Sequence, residues 1–326
     1  MRRRHLLLAA AALPAPALAQ TAAAPAGRPW SPPTRMIIPY GAGNITDVVA
    51  RVLLDVLGQR HGWRSAADNQ PGAGGMMGAN NLIRAPADGS VFGVVSAAAL
   101  TILPHIQRPR FDPFPELQPI TGLTISHSFL AVNAQLPVRS LAELVAHARA
   151  RPANDPIFYP SPGAGTVPHI NMVALCHALD FPMVHVPYRT SAAGNTDLLA
   201  NRVQVTMDSF ALTLTHMRSG ALRPLAFNGP RRHALLPEVP TLAEVAPGVE
   251  LTNSWQGLFF PKGTPPAILA RAAEELQETV NSAAFIEKMP VGASPFALPP
   301  AELARQVASE SARIGRLAAA INLTLE

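Results

Sequence analysis

Two short stretches concentrate the groups that could hold or transform a small molecule. One, Y-G-A-G-N-I-T-D, runs from Tyr40 to Asp47; the other, S-P-G-A-G-T-V-P-H, runs from Ser161 to His169. Each follows a short apolar run that meets a proline (Met36 to Ile38 before Pro39, Ile157 to Tyr159 before Pro160), and each precedes residues with helical periodicity. The G-x-G pairs permit a tight turn, and a helix that starts directly after them leaves main-chain N–H groups bare at its positive end. The spacing therefore predicts two anion cradles made chiefly of backbone.

Other chemistry is weaker in this chain. Ser161, His169 and Asp208 are the residue types of a hydrolytic triad. A helix start separates the first two and the acid lies far along the chain, so the spacing permits hydrolysis without demanding it. Asp208 ends an apolar run from Val203 to Met207, read as a strand reaching the carboxyl edge of a parallel sheet, which makes it a candidate specificity side chain. Asp47 in a first helical turn stabilises that turn with or without a ligand. Three G-x-G loops (Gly41, Gly72 and Gly163 lead them) have Thr46, Met77 and Pro168 where a dinucleotide fingerprint needs a small residue. No G-x-S-x-G, no phosphate-loop lysine and no H-x-x-x-H spacing occurs, so neither a cofactor nor a metal is expected. Cys176, the single cysteine, sits among Met172, Val173, Leu175 and Leu179 and reads as a packed core thiol.

The elements that must position these loops fill 326 residues, enough for two domains with their own cores. Hydrophobic content of 48% and charged content of 14% place the chain among ordered globular proteins. The start, M-R-R-R-H-L-L-L-A-A-A-A-L-P-A-P-A-L-A-Q, has a basic end, a short apolar stretch and a small-x-small site at Ala17 to Ala19. It predicts an export signal over residues 1–19, then a linker over residues 20–28. Removing the three charges of Arg2, Arg3 and Arg4 lowers the formal charge from +5 to +2, and nothing points to nucleic acid.

Periodicity predicts a strand, helix, strand, helix, strand order from Met36 to Val95, hence parallel pairing in a three-layer α/β domain. Phe111 to Pro119, with three prolines, reads as a surface connection. Further strands are expected at Phe129–Val132, Ile157–Tyr159, Met183–Val186, Val203–Met207, Leu222–Phe227 and Ser254–Phe260. Ser140 with Glu143, and Thr241 with Glu244, are predicted capping boxes. Thr264 is expected to cap a helix running to Val280, and a last helix spans about Ala301–Ala320. The repeated unit of strand, proline, G-x-G loop and helix suggests two similar lobes facing one cleft.

The blocks I-I-P-Y-G-A-G-N-I-T-D-V-V-A-R, D-N-Q-P-G-A-G-G-M-M-G-A, A-D-G-S, Y-P-S-P-G-A-G-T-V-P-H, H-V-P-Y-R-T-S, M-D-S, L-P-E-V-P-T-L-A-E and G-T-P occur in that order from about Arg35 to the C-terminus. Together they resemble the tripartite tricarboxylate transporter receptors, or Bug family, of periplasmic solute-binding proteins. The resemblance implies a two-lobe, type II-like binding-protein fold: residues 29–123 with 251–326 as one lobe, residues 124–250 as the other. It implies a small carboxylate ligand, membrane transporter subunits or a sensor as partners, a periplasmic location and no enzyme activity. The rival reading is an exported serine hydrolase using Ser161, His169 and Asp208. Carried over by motif, the ligand residues are Tyr40, Gly41, Ala42, Gly43, Asn44, Thr46 and Asp47 in the first loop. Ser161, Gly163, Ala164, Gly165, Thr166 and His169 form the second, with Tyr188 from a third loop and Asp208 at the distal end. Asn44 stands where the family has the second glycine of a G-G pair, Thr190 where a glycine follows the basic residue, and Ala200-Asn201 where another G-G occurs.

Overall fold

The computed structural model describes residues 31–108 and 110–325; the expected export signal and linker lie outside the described residues. The first stretch holds β1 (Arg35–Ile38), α1 (Ile45–His61), β2 (Ala66–Asn69), α2 (Met76–Ile83) and β3 (Val91–Ser96). A π-helical turn over Ala98–Ile102 leads into the short α3 (Leu103–Ile106), and β4 (Leu117–Ser126) follows. The middle stretch holds β5 (Ser128–Asn133), α4 (Leu141–Ala150), β6 (Phe158–Ser161), α5 (Val167–Ala178) and β7 (Val184–Pro187). It continues with α6 (Ser191–Leu199), β8 (Val205–Ser209), α7 (Phe210–Arg218), β9 (Leu222–Phe227) and α8 (Leu242–Val245). The last holds β10 (Ser254–Pro261), α9 (Pro266–Val280), α10 (Ala283–Ile286), β11 (Ser294–Pro295) and α11 (Pro300–Ala320).

Strand β1 forms because Met36, Ile37 and Ile38 are apolar on both faces and fully enclosed between β2 and β3, with which it pairs in parallel. The sheet order is β11-β4-β10-β3-β1-β2, and β10 runs antiparallel to both β3 and β4. The parallel pairing expected from Met36 to Val95 is found in β2-β1-β3, and the antiparallel pairs of β10 and β11 make the whole sheet mixed. Residues Leu117 to Pro119, expected in a surface connection, are strand. Pro119 is tolerated in β4 because it sits at a register shift against Phe259, where a missing N–H costs little. The chain leaves this sheet through a single residue, His127, between β4 and β5, and returns through Glu250–Asn253 into β10.

Between those two crossings lie a three-stranded antiparallel sheet, β8-β5-β9, and the parallel pair β6-β7. Asp208 thus ends an antiparallel strand, which corrects the parallel edge expected for it. Pro160 does not stop its strand. Phe158 N–H donates to Gln204 on the side away from β7, so Pro160, of the same parity, removes no donor from the β6-β7 ladder. Of the two capping boxes, Thr241 with Glu244 is complete, whereas Glu143 turns its carboxylate to the Arg139 N–H and leaves Ser140 capping alone. The α9 cap is Pro265, one residue after Thr264, whose hydroxyl donates to Pro261 O.

Buffering between the two crossings is specific. Asn171 of α5 donates to Thr252 O (2.8 Å) and accepts from Thr252 N–H (2.9 Å), both residues being buried. His127 Nδ1 lies 3.1 Å from both Asn228 O and Asn253 Oδ1. Val167 and Ile170 of α5 join the core cluster of Leu103, Ile106, Trp255 and Ile314, so this helix shares an apolar core with the six-stranded sheet.

Candidate functional site

The first loop is anchored from below and open above. Asp47, only 2% exposed, accepts from Gly43 N–H (2.9 Å), from Asn69 Nδ2 (2.8 Å) and from Arg51 Nε (2.9 and 3.0 Å). Asn69 Nδ2 also reaches Tyr40 O at 2.9 Å, so both ends of the turn are tied to one carboxylate–amide–guanidinium network. Burial pushes the Asp47 carboxyl up, but the bonds from Arg51, Asn69 and Gly43 outweigh it and hold it below the usual range. The Gly43 N–H is therefore already occupied by the chain's own acid, which corrects the expectation that it is bare. Asn44 is the N-cap of α1 and accepts from Thr46 N–H at 2.9 Å. Its extended backbone (φ −65°, ψ 153°) has no need of glycine, so this departure from the family motif leaves the turn intact. Among the described residues, the N–H groups of Gly41, Ala42, Ile45 and Asp47 have no acceptor within the chain, and Gly41 to Ile45 are exposed.

The second loop has the same logic with different side chains. Ser161 Oγ donates to Gly163 O (2.9 Å) and accepts from Gly163 N–H (3.2 Å); Thr166 Oγ1 donates to Gly163 O (2.7 Å). His169 Nδ1 accepts from Gly165 N–H at 3.1 Å. Gly165 takes φ +78°, and a Cβ there would lie 3.0 Å from Leu103 Cδ2 and 3.1 Å from Ile106 Cδ1, so both conformation and packing require glycine. Ala164 is exposed, and its N–H and that of Val167 have no acceptor among the described residues. Pro168 in the first turn of α5 removes a further donor.

Ser161, His169 and Asp208 do not form a triad. Ser161 Oγ lies 2.7 Å from His185 Nε2, while His169 spends its Nδ1 on the loop. Asp208, 8% exposed, accepts from Ser209 N–H at 2.7 Å; burial pushes its carboxyl up against the bonds from Ser191 and Ser209. Tyr188 donates its hydroxyl to Asp197 at 2.8 Å, and its N–H to Ser161 O at 2.9 Å, so it braces the second loop. Burial and then Asp197 push its phenol up to about 12. Cys176 is half-buried, its thiol pushed up to about 12 by burial, as a packed thiol should be. Among the described residues, no cluster of metal-ligating side chains occurs.

Leu103 was not singled out by the sequence, yet it joins the loops. Its Cδ1 would be 3.0 Å from a Cβ on Gly74 and its Cδ2 3.0 Å from one on Gly165. Tyr40 Oη in turn lies 3.5 Å from Gly74 O and would be 3.4 Å from a Cβ on Gly75. The three G-x-G loops therefore gather around Leu103 and Tyr40. Two cavities lie elsewhere: about 630 Å³ beside Ala73, Met76, Arg84 and Arg108, and about 460 Å³ beside Asn228, Glu250, Glu310 and Arg313. Neither is lined by the first or the second loop.

Comparison with known proteins gives a consistent picture. The family model described as "Tripartite tricarboxylate transporter family receptor" matches residues 49–323. A Cupriavidus necator protein, "UPF0065 protein in gbd 5'region", is 32% identical over 294 residues, covering 89% of this chain and 88% of that protein. "Protein BugT" of Bordetella pertussis is 29% identical over 287 residues, 86% of each chain. The solved structure "R. palustris Rpa4515 with adipate" superposes with a TM-score of 0.76 at 28% identity, covering 90% of this chain and 98% of that one.

Proposed function

The chain belongs to the tripartite tricarboxylate transporter receptor family, and from that membership and its two half-open N–H cradles we propose that it captures a small carboxylate and presents it to a tripartite tricarboxylate-type transporter or a sensor. The observation that carries this reading is the pair of glycine turns. In each, side chains (Asp47, Asn44 and Asn69; Ser161, Thr166 and His169) satisfy some main-chain groups and leave others, at a helix N-terminus, aimed at nothing. A carboxylate is the ligand such donors fit, and the relative with adipate bound has the same fold. The grip consists of the free N–H groups of Gly41, Ala42, Ile45, Ala164 and Val167. Tyr40, Gly43, Thr46, Gly163 and Gly165 shape the turns, while Tyr188 and Asp208 act beyond them. Receptors of this family are periplasmic, and no helix among the described residues is long and apolar enough to cross a membrane. Cleavage after Ala19 and delivery to membrane subunits complete the reading.

The separate sheets on either side of His127 and of Glu250–Asn253 support two lobes, with the first boundary moved from the expected 123/124 to His127 because Thr124 to Ser126 still pair within the six-stranded sheet. Closure brings the Gly43 and Gly165 loops together about those crossings. A thermal-shift screen over small carboxylates tests the function. At about a hundred times its dissociation constant a ligand stabilises the native state by roughly 2.7 kcal/mol. Ester hydrolysis by the purified protein that vanishes in Ser161→Ala would overturn the receptor reading.

A further inference from the structure

The second loop is held by two imidazoles. The parallel register of β6 and β7 sets Tyr159 opposite His185, and the His185 ring stacks on Tyr159 (centroids 5.2 Å apart) on one side and on His169 (4.1 Å, interplanar angle 29°) on the other. The hydrogen bonds assign a role to one nitrogen of each ring. Ser161 has one hydroxyl proton, and assigning it to the Gly163 carbonyl at 2.9 Å makes His185 Nε2 at 2.7 Å the donor to Ser161 Oγ. His169 Nδ1 accepts from Gly165 N–H and must be bare, so its proton is on Nε2. His169 therefore needs to be neutral with a bare Nδ1, and His185 needs a proton on Nε2, for the loop to keep its shape.

We propose that His169 and His185 are a pair of positioning residues for the carboxylate grip, two stacked neutral Nε2–H imidazoles that lock the Gly163–Gly165 turn so that the Ala164 N–H stays aimed outward at the ligand. The proposal rests on the receptor reading and adds the device that orients its second cradle. Protonating His169 Nδ1 would set a donor against the Gly165 N–H and place a charge in the face of a second ring. Burial, and then His185, push His169 down to about 4, and burial pushes His185 down, in keeping with a pair held neutral. The titratable groups with shifted pKa on the elements packed around the pair are Tyr159 on β6, Cys176 on α5 and Asp208 on β8, and α5 also carries His177 in its last turn. Burial pushes Tyr159, Cys176 and Asp208 toward their neutral forms. Asp197, beyond Tyr188, is compensated by Arg202.

Nitrogen-15 spectra of the imidazoles in ligand-free protein test the tautomers directly. Both rings should show a protonated Nε2 and a bare Nδ1 at pH 7; an Nδ1–H tautomer or a doubly protonated ring at either position overturns the proposal. Adipate titration tests the consequence. His169→Leu and His185→Leu should weaken binding about tenfold or more, whereas His169→Asn and His185→Gln, whose amides place an acceptor at Nδ1 and a donor at Nε2, should stay within about threefold of the wild type. Between pH 7.5 and pH 5 the wild type should keep pace with the Asn/Gln double variant, falling behind it only as pH approaches 4, the ligand's own titration being common to both; a divergence already complete at pH 6 contradicts a pair held neutral. Leu variants that bind as tightly as the wild type, or Asn and Gln variants as weak as Leu, refute the positioning role. If the Leu variants fail to fold, the spectra and the Asn/Gln pH profile decide. A wild type that does not bind adipate counts against the receptor reading with that ligand and leaves the spectral test of the pair standing.

Discussion

Acidification should expose His169 as a stability determinant, and His169→Asn isolates its share. The ring is 6% exposed, and burial followed by the neighbouring His185 pushes its pKa down to about 4. In the unfolded chain it returns to roughly 6.5. Between those values the unfolded chain holds a proton that the native state refuses, so stability rises with pH in that window. The contribution is fully present above the unfolded value and is lost as pH falls toward 4. Integrated from pH 8 to pH 4.5, the loss is about 2 to 3 kcal/mol, a large part of the 5 to 15 kcal/mol that typically holds a domain together. Urea unfolding of both proteins at several pH values reads it, provided the slopes agree. The wild type should lose about 2 to 3 kcal/mol more than His169→Asn over that range. Profiles that run parallel to within about 0.5 kcal/mol would refute the reasoning, because His169 would then titrate as freely in the native state as in the unfolded one.

The glycines of the two loops should differ. Gly43→Ala at φ +82° meets no atom within 4 Å and should cost about 1 kcal/mol of backbone strain, whereas Gly165→Ala also strikes Leu103, Leu325 and Ile106 and should cost about 2 to 4 kcal/mol. Thermal melts of the two variants check the order, and equal losses contradict the packing argument. Asn171→Ala strands a buried Thr252 N–H and should cost about 2 to 3 kcal/mol in urea unfolding, with a loss below about 0.5 kcal/mol counting against a structural tie at the crossing. Asp208→Asn keeps the acceptor for Ser209 N–H and should reorder the ligands that bind; an unchanged ranking removes Asp208 from the site.

The first strand, its loop and α1 were legible because three signals agree there: an apolar run enclosed on both faces, a proline that ends it, and Asn44 capping a helix that Gly62 closes in the left-handed region. Even so, Val48, apolar and at helical spacing with Val52 beside the buried Val49 and Leu53, is 39% exposed, and Ala50 is buried in the stripe instead. β4 was hidden because prolines normally argue against a strand; only the sheet shows that Pro119 falls at a register shift. The strand ending at Asp208 was legible, but its direction relative to neighbours is a property of tertiary pairing that five residues cannot encode. His185 stood in plain view within H-V-P-Y, yet nothing local marks it. Its role depends on parallel pairing that sets it against Tyr159, and on a helix that brings His169 to its other face. Asn201, where the family has glycine, takes φ +57°, a conformation asparagine tolerates better than other side chains.

The central claim is that main-chain N–H groups of the two glycine turns hold a carboxylate, and calorimetric titration with adipate against its uncharged diamide tests it most directly. The account predicts saturable one-to-one binding of the dicarboxylate, with the diamide of the same length weaker by about a hundredfold or more, because bonds to a charged acceptor are worth roughly 1.5 to 3 kcal/mol each against about 0.5 to 1.5 for neutral ones. Equal affinity for acid and diamide would contradict it, as would the absence of binding by adipate and by every other small carboxylate offered in its place.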